Sequence, residues 1–404
     1  MKIPFSPPFI DDDIIKEVND SLLSGWITTG PKVAALEEGL AKYCHAKRVN
    51  CVNSWTSGAI LMLRWLGLKE GDEVIVPAYT YCATAMAVMD AGGKPVMVDI
   101  NKDMTIDCEG VRAAITPKTK AILPVDLGGT PCEYEKLREI ITSKQALEMF
   151  KPSSLNQEKL GRILLIADSA HSLGAVLHDK TIAEQADISV LSLHAVKNLT
   201  SAEGGAICLN MPQPFDNDEL YKELRVLSLN GQTKDAFSKS QAGAWRYDII
   251  AHGMKINMPD VNAAIALAQL RKYDYLLNER KRVYERYSTL LKEYHWAVLP
   301  MQDTENVKTS YHLFALRINP ITESQRDSLI QYLADKDIAT NVHYIPMPML
   351  TLFKQMGYNI DDYPMAYDTY SREISLPIYP QLTDIQVDYI VKNLVEGYYS
   401  ITLK

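Results

Sequence analysis

Lys197 and Asp168 are the residues whose types and positions first suggest chemistry. The lysine follows an apolar run, Ile188 to Leu193, that reads as a buried strand, and the glycine pair Gly204-Gly205 comes soon after it. Burial at a strand end depresses an amine's pKa, and a neutral amine attacks carbonyls and can form a Schiff base. Asp168 ends a second apolar run, Ile163 to Ala167, of the kind that is covered on both faces. Ligands of open parallel sheets bind at the carboxyl ends of the strands. A carboxylate placed there can hold a proton on a pyridine nitrogen, as pyridoxal phosphate chemistry requires. Each residue also has a plainer reading. Lysines are mostly exposed, and an aspartate at a strand end can simply cap the next turn.

The elements that must position this pair are strands alternating with helices. Apolar runs at Val49–Asn53, Glu73–Val76, Val96–Ile100 and Ala121–Val125 read as strands. Helix patterns lie between them at Thr84–Ala91 and Cys108–Ile115. That alternation predicts an α/β protein with a mainly parallel sheet covered by helices. After the first strand comes Ser54-Trp55-Thr56-Ser57-Gly58 and then an amphipathic helix. A strand, a small polar turn and a helix N-terminus make an anion site, because free backbone N–H groups and hydroxyls point the same way. Tyr81 follows the strand at Glu73–Val76 and could stack on a ring. Further along, Ile3 to Ile10 reads as extended, Asp260 to Leu277 as one long Ala/Leu-rich helix, and the segments around Tyr311–Ile318 and Thr340–Tyr344 as strands. A polar stretch, Ser143–Lys159, reads as an insertion without a legible role.

The chain resembles the DegT/DnrJ/EryC1/StrS family of pyridoxal phosphate-dependent nucleotide-sugar aminotransferases over nearly its whole length. The carriers are G-W-I-T-T-G-P at Gly25–Pro31, E-G-D-E-V-I-V-P-A-Y-T-Y at Glu70–Tyr81 and P-V-M-V-D-I at Pro95–Ile100. A-D-S-A-H at Ala167–His171, S-L-H-A-V-K-N at Ser192–Asn198, N-A-A-I-A-L-A-Q-L at Asn262–Leu270 and V-H-Y-I-P at Val342–Pro346 follow in the family's order. The resemblance implies a fold-type I transferase with a large cofactor-binding lobe at 1–268 and a smaller α+β lobe at 269–404. It implies that Lys197 carries the cofactor and Asp168 faces its ring nitrogen. Thr56, Ser57 and Ser192 would then meet the phosphate, Tyr81 would stack on the ring, and His171 would lie near the cofactor, contacting its ring hydroxyl or Asp168. Thr28, Tyr311, His343 and Tyr344 would border the sugar. The family's sites straddle two subunits, so a homodimer is implied, with Lys255 or Asn257 entering the neighbour's pocket.

Three departures narrow the resemblance. Trp55 stands where relatives carry a small residue, and Pro346-Met347-Pro348 drops a second histidine. Gly253-x-Lys255-x-Asn257 replaces the more usual G-Y-N-Y-R, which resembles the UDP-4-amino-4-deoxy-L-arabinose branch. Glutamate as donor and a UDP-linked 4-keto sugar as acceptor are implied. Two rivals are a pyridoxamine-dependent sugar dehydratase, which usually replaces the lysine with histidine, and a regulatory protein, which needs a signal-receiving segment.

Composition sets outer bounds. With 404 residues the chain is expected to form two lobes, and 47% hydrophobic with 23% charged residues excludes a disordered chain. A net charge of −8 argues against a nucleic-acid backbone as the main partner. The start carries prolines and acids where a secretory signal has an apolar core, and no stretch reaches membrane-spanning length. Six cysteines without a C-x-x-C pair and eight histidines without an H-x-x-x-H pair point to a reduced, cytoplasmic protein with no metal site.

Overall fold

Alternation of apolar runs with helices builds the expected α/β layers, seen in a computed structural model that describes residues 1–233 and 246–403. The first strands are β1 (Arg48–Val52), β2 (Glu73–Pro77), β3 (Lys94–Val98), β4 (Thr119–Ile122) and β5 (Leu164–Asp168). Two short strands, β6 (Val176–Leu177) and β7 (Lys180–Thr181), pair with each other outside the main sheet. Then come β8 (Ile188–Ser192) and β9 (Gly205–Leu209). The main sheet has seven strands in the order β1-β9-β8-β5-β4-β2-β3. Neighbours from β8 through β3 run parallel, and β9 is antiparallel to both β1 and β8. Alternate side chains of β5 enter different cores: Leu164 and Ile166 one, Leu165 and Ala167 another. The period of two along a strand thus explains why the run is apolar throughout.

The second lobe has the strands β10 (Ala297–Val298), β11 (Val307–Lys308), β12 (Phe314–Ile318) and β13 (Glu373–Leu376). Its antiparallel sheet runs β10-β12-β13, and β11 pairs with β6 of the first lobe. Trp296, Phe314, Leu316, Leu329 and Leu394 form its core with Tyr287. The chain crosses between lobes at both ends. Ile3 bridges to Ile338 and joins the second core, while Met347, Phe353, Ala366 and Tyr370 pack into the large one. We propose that the lobes divide at the end of the helix Asp260–Leu270, close to the expected residue 268.

Several local expectations change. The helix expected over Asp260–Leu277 is two helices, Asp260–Leu270 and Tyr273–Leu291. They break at Lys272, whose ammonium is held by Asp11 and, at 2.7 Å, by Asp13 of the first helix. The strand expected at Thr340–Tyr344 is a single bridge, Asn341 to Ser375, because the Glu373 carboxylate takes the His343 N–H at 2.9 Å. The strand expected at Ala121–Val125 ends at Ile122, and Val125 bridges separately to Asp168. Part of the loop read after Leu229, at 234–245, lies outside the described residues.

The polar insertion has a role. Ser154 Oγ donates to the Leu66 carbonyl at 2.6 Å, Asn156 Nδ2 to that of Trp65 at 2.7 Å, and Gln157 Nε2 to that of Leu66 at 3.3 Å. Helix ends leave carbonyls without intrahelical partners. The insertion therefore caps the C-terminus of the helix Trp55–Trp65, whose other end is the anion-site candidate. Among the described residues no helix is long and apolar enough to cross a membrane, and no cluster of three His, Cys, Asp or Glu could hold a metal.

Candidate active site

Strand register builds one end of the site. Gly205 lies level with Val52 on one side and Ser192 on the other, so the ends of β1 and β8 are brought together across it. The helix Trp55–Trp65 starts directly on this strand: a Cβ on Gly205 would come within 2.5 Å of the Ser54 carbonyl carbon. Only glycine permits that approach. Ser54 is the cap, accepting from the Ser57 N–H at 3.1 Å and donating to Ser57 Oγ at 2.9 Å. Thr56 and Ser57 are half-buried on the first turn, and Ser192 Oγ accepts from the His194 N–H at 3.5 Å. The positive helix end and the converging hydroxyls suit a phosphate. Ser54 was not singled out from sequence; its spacing of three before Ser57 was the available signal.

Asn257 joins the same edge. It bridges to Val52, and Asn53 N donates to the Ile256 carbonyl at 2.7 Å. Its Nδ2 donates to Thr29 Oγ1 at 2.6 Å, and its oxygen accepts from the exposed Lys255 ammonium. The Thr28 side chain is exposed, and its carbonyl accepts from the Asp260 N–H at 3.2 Å. Neither threonine caps the next helix. Asp260 does so, accepting from the N–H groups of Gly30 at 2.8 Å, Lys32 at 3.1 Å and Val33 at 3.0 Å.

The other end of the site forms around Asp168. It lies between β4 and β8, with its N–H on the Pro124 carbonyl at 2.9 Å and the next N–H on Val190 at 3.0 Å. Thr84 Oγ1 donates to Oδ2 at 2.9 Å and the Ala170 N–H to Oδ1 at 3.2 Å. Burial still dominates and pushes the carboxyl up to about 7. Lys197 sits in the turn after β8, its N–H on the His194 carbonyl at 2.9 Å. Burial pushes its amine down to about 8, and the Asp168 charge opposes this. Each group therefore senses the other. Asp168 is level with Val190, and Ser192 is two residues further along β8. That step is about 7 Å, enough to set a ring between carboxylate and phosphate site.

His171 is buried beside them. Its Nδ1 accepts from the Gly128 N–H at 3.2 Å, so the neutral ring carries its proton on Nε2, 3.4 Å from the Tyr344 hydroxyl. Burial, then the Lys197 charge, holds it well below the usual histidine range. The ring of Tyr344 lies 5.8 Å from that of Tyr81, which is 59% exposed at the mouth. His312, which the sequence reading passed over, packs its ring 4.2 Å from His171. Its Nδ1 meets Asn198 Oδ1 at 2.8 Å, next to Lys197. Its only sequence signal was its place beside Tyr311.

Two expected substrate residues point elsewhere. The Tyr311 hydroxyl donates to Asp303, and its ring packs edge-on against Tyr284 in the second core, 5.5 Å between centroids. His343 turns its Nδ1 to Ser375 Oγ at 2.8 Å, and its ring stacks on Phe5 at 5.5 Å. Burial, then the Lys197 charge, pulls His343 down to about 3. The structure thus brings together Lys197, Asp168, His171, Tyr344 and Tyr81 at one end and Thr56, Ser57 and Ser192 at the other. Among the described residues no contact joins Tyr311, Thr28 or Lys255 to the Lys197–Asp168 pair. An amine, a buried carboxylate, an anion cradle and aromatic walls fit pyridoxal phosphate.

Comparison with known proteins gives the same chemistry. The model of the DegT/DnrJ/EryC1/StrS aminotransferase family matches residues 8–395. The spore coat polysaccharide biosynthesis protein SpsC of Bacillus subtilis is 32% identical over 403 residues, 98% of this chain and 97% of its own. Spr1654 from Streptococcus pneumoniae, assigned as a sugar aminotransferase and solved in its PMP form, superimposes with a TM-score of 0.95. It is 41% identical, over 99% of this chain and 100% of its own. Helicobacter pylori PseC, an aminotransferase of pseudoaminic acid biosynthesis, gives 0.86 at 25% identity over 99% and 100%.

Proposed function

Because the chain belongs to the DegT/DnrJ/EryC1/StrS aminotransferase family, we propose that it moves an amino group from L-glutamate to a 4-keto sugar carried on UDP. It is a sugar aminotransferase whose cofactor is pyridoxal 5'-phosphate. The observation that carries the reading is a half-buried amine, Lys197, in the turn after β8, whose charge acts on the buried carboxylate of Asp168 at the end of β5.

Bound pyridoxal phosphate supplies an aldehyde for an amine and a ring that takes up the electron pair of the donor's α-carbon. The protein supplies the rest. Lys197, whose pKa burial lowers to about 8 so that the neutral amine is more accessible than in a free lysine, would be the amine for that aldehyde and the base that moves a proton from the donor's α-carbon. Asp168 would hold the proton at the ring nitrogen. Thr84 and the Ala170 N–H keep both carboxyl oxygens in place for this. Thr56, Ser57 and Ser192 would hold the phosphate, Tyr81 would cover the ring, and His171 would offer its Nε2–H to the ring hydroxyl. Tyr344 faces the same space and is our first sugar contact; the exposed Thr28 is a more remote one.

We assign Lys255 or Asn257 to the phosphate of a partner subunit, in a homodimer. Ile249 and Ile250, which are 54% and 62% exposed beside this segment, support an interface there. SpsC, named for spore coat polysaccharide biosynthesis, supports a product destined for a cell-surface polysaccharide or lipopolysaccharide. The test is amination of UDP-, GDP- and dTDP-linked 4-keto sugars with glutamate, read by mass spectrometry. Aminated UDP-sugar is the expected product. Amination confined to another nucleotide would displace the UDP assignment and leave the aminotransferase intact.

A further inference from the structure

A second carboxylate is buried behind the first. Asp126 follows Val125, which bridges to Asp168, and the Asp126 N–H donates to the Asp168 carbonyl at 3.2 Å. Its carboxylate accepts from Ser172 Oγ at 2.6 Å, the Tyr134 hydroxyl at 2.9 Å and the Cys132 N–H at 3.0 Å. Its own carbonyl accepts the Gly129 N–H at 3.0 Å, closing the turn that aims the Gly128 N–H at His171 Nδ1. One residue therefore ties together the turn after β4, the loop after β5 and the start of the helix Tyr134–Thr142. None of its hydrogen-bond partners is a cation. A helix cap alone does not need a fully buried acid with three donors and another acid beside it.

We propose that Asp126 is a positioning residue for the amino transfer: it fixes the backbones of Asp168 and His171, and its charge strengthens the hold of Asp168 on the proton at the ring nitrogen. The inference rests on the reading of Asp168 given above. Like charges in one low-dielectric site disfavour each other's ionisation. Asp126 raises the proton affinity of Asp168, and burial raises its own to about 6. Facing Asp126 are Ser172 from the loop, Cys132 and Tyr134 from the helix side, and Asp168 across the strand end, with Lys197 beyond it. The Cys132 thiol and Tyr134 hydroxyl are pushed well up by burial and stay protonated, so the two acids titrate as a pair.

The test uses Asp126→Asn, which keeps the shape and removes the charge, and carboxyl 13C NMR of the full-length cofactor-free protein. The Asp168 titration is expected to move down by about one pH unit. In the loaded enzyme, kcat for the donor half-reaction is expected to fall about 10-fold, with the donor KM within about two-fold. An Asp168 midpoint and kcat that both match wild type would overturn the proposal, whatever happens to thermal stability. Should Asp126→Asn not fold, Ser172→Ala replaces it: losing that donor should raise the Asp126 midpoint and lower that of Asp168, and no movement in either sinks the coupling. Failure of the Asp168 reading is separate. Asp168→Asn would then keep its turnover, while the titration of wild type against Asp126→Asn could still show the pair.

Discussion

At the phosphate end, Ser54, Thr56 and Ser57 come from one helix start, and Ser192 and Gly205 are joined to it by regular strand pairing. At the ring end, Thr84, Asp126, the Asp168–Ser172 loop, His312 and Tyr344 arrive from separate segments and meet largely through side chains. The first end is held by backbone geometry, which a single glycine makes possible. The second is held by burial, which leaves carboxyl and amine groups short of their ordinary charge. Binding of the phosphate should therefore fail through shape, and the chemistry should fail through electrostatics.

The largest effect should come from the ring end. Lys197→Ala is expected to lower amino transfer by at least about 10³-fold, since nucleophile and base go together. Borohydride should no longer fix cofactor to the protein. Turnover within ten-fold of wild type would move the chemistry elsewhere. At the phosphate end, Gly205→Ala forces a Cβ into the Ser54 backbone and should cost about 1–3 kcal/mol. Urea unfolding measures this, and a variant as stable as wild type would show that the helix start can yield.

A pH series sharpens the contrast. The Asp168 carboxyl rises from 3.8 to about 7 on folding, so the native state binds more protons than the unfolded one between those values. Its contribution to cofactor-free stability is full below 3.8 and is lost as pH climbs to about 7. The stability of wild type relative to Asp168→Asn should fall across that window; a difference that grows with pH would reverse the assignment. Ser54→Ala should show no such slope, but should cost about 1 kcal/mol as a lost cap and weaken cofactor binding. The smallest effect is expected for Thr28→Ala, whose side chain is exposed, within about 0.5 kcal/mol in thermal unfolding.

Legibility in the sequence follows the same division. Thr56 and Ser57 stood out because a strand, a polar turn and a helix start form a local pattern, and Ser192 only through the family resemblance. Lys197, Asp168 and the mainly parallel sheet were readable because apolar runs mark buried strands and their ends. His312 and Asp126 were not, since neither belongs to a pattern and each acquires its role only from what packs against it. Tyr311 was drawn towards the substrate by the family resemblance, yet its hydroxyl is taken by Asp303. The helix over Asp260–Leu277 looked continuous because propensity carries no record of Asp11 and Asp13 holding Lys272.

Hydrophobic periodicity, glycine placement and motif order were enough to specify the layers and the cofactor, and to pick out the two groups proposed to handle the proton. These are properties of residues near one another in the chain, where the spacing of side chains is fixed by helix and strand geometry. Tertiary structure alone decided how far each charge is suppressed, which histidine backs the site, and which acid stands behind Asp168. Those depend on burial and on contacts between residues far apart in the chain, and desolvation has no counterpart in a linear pattern.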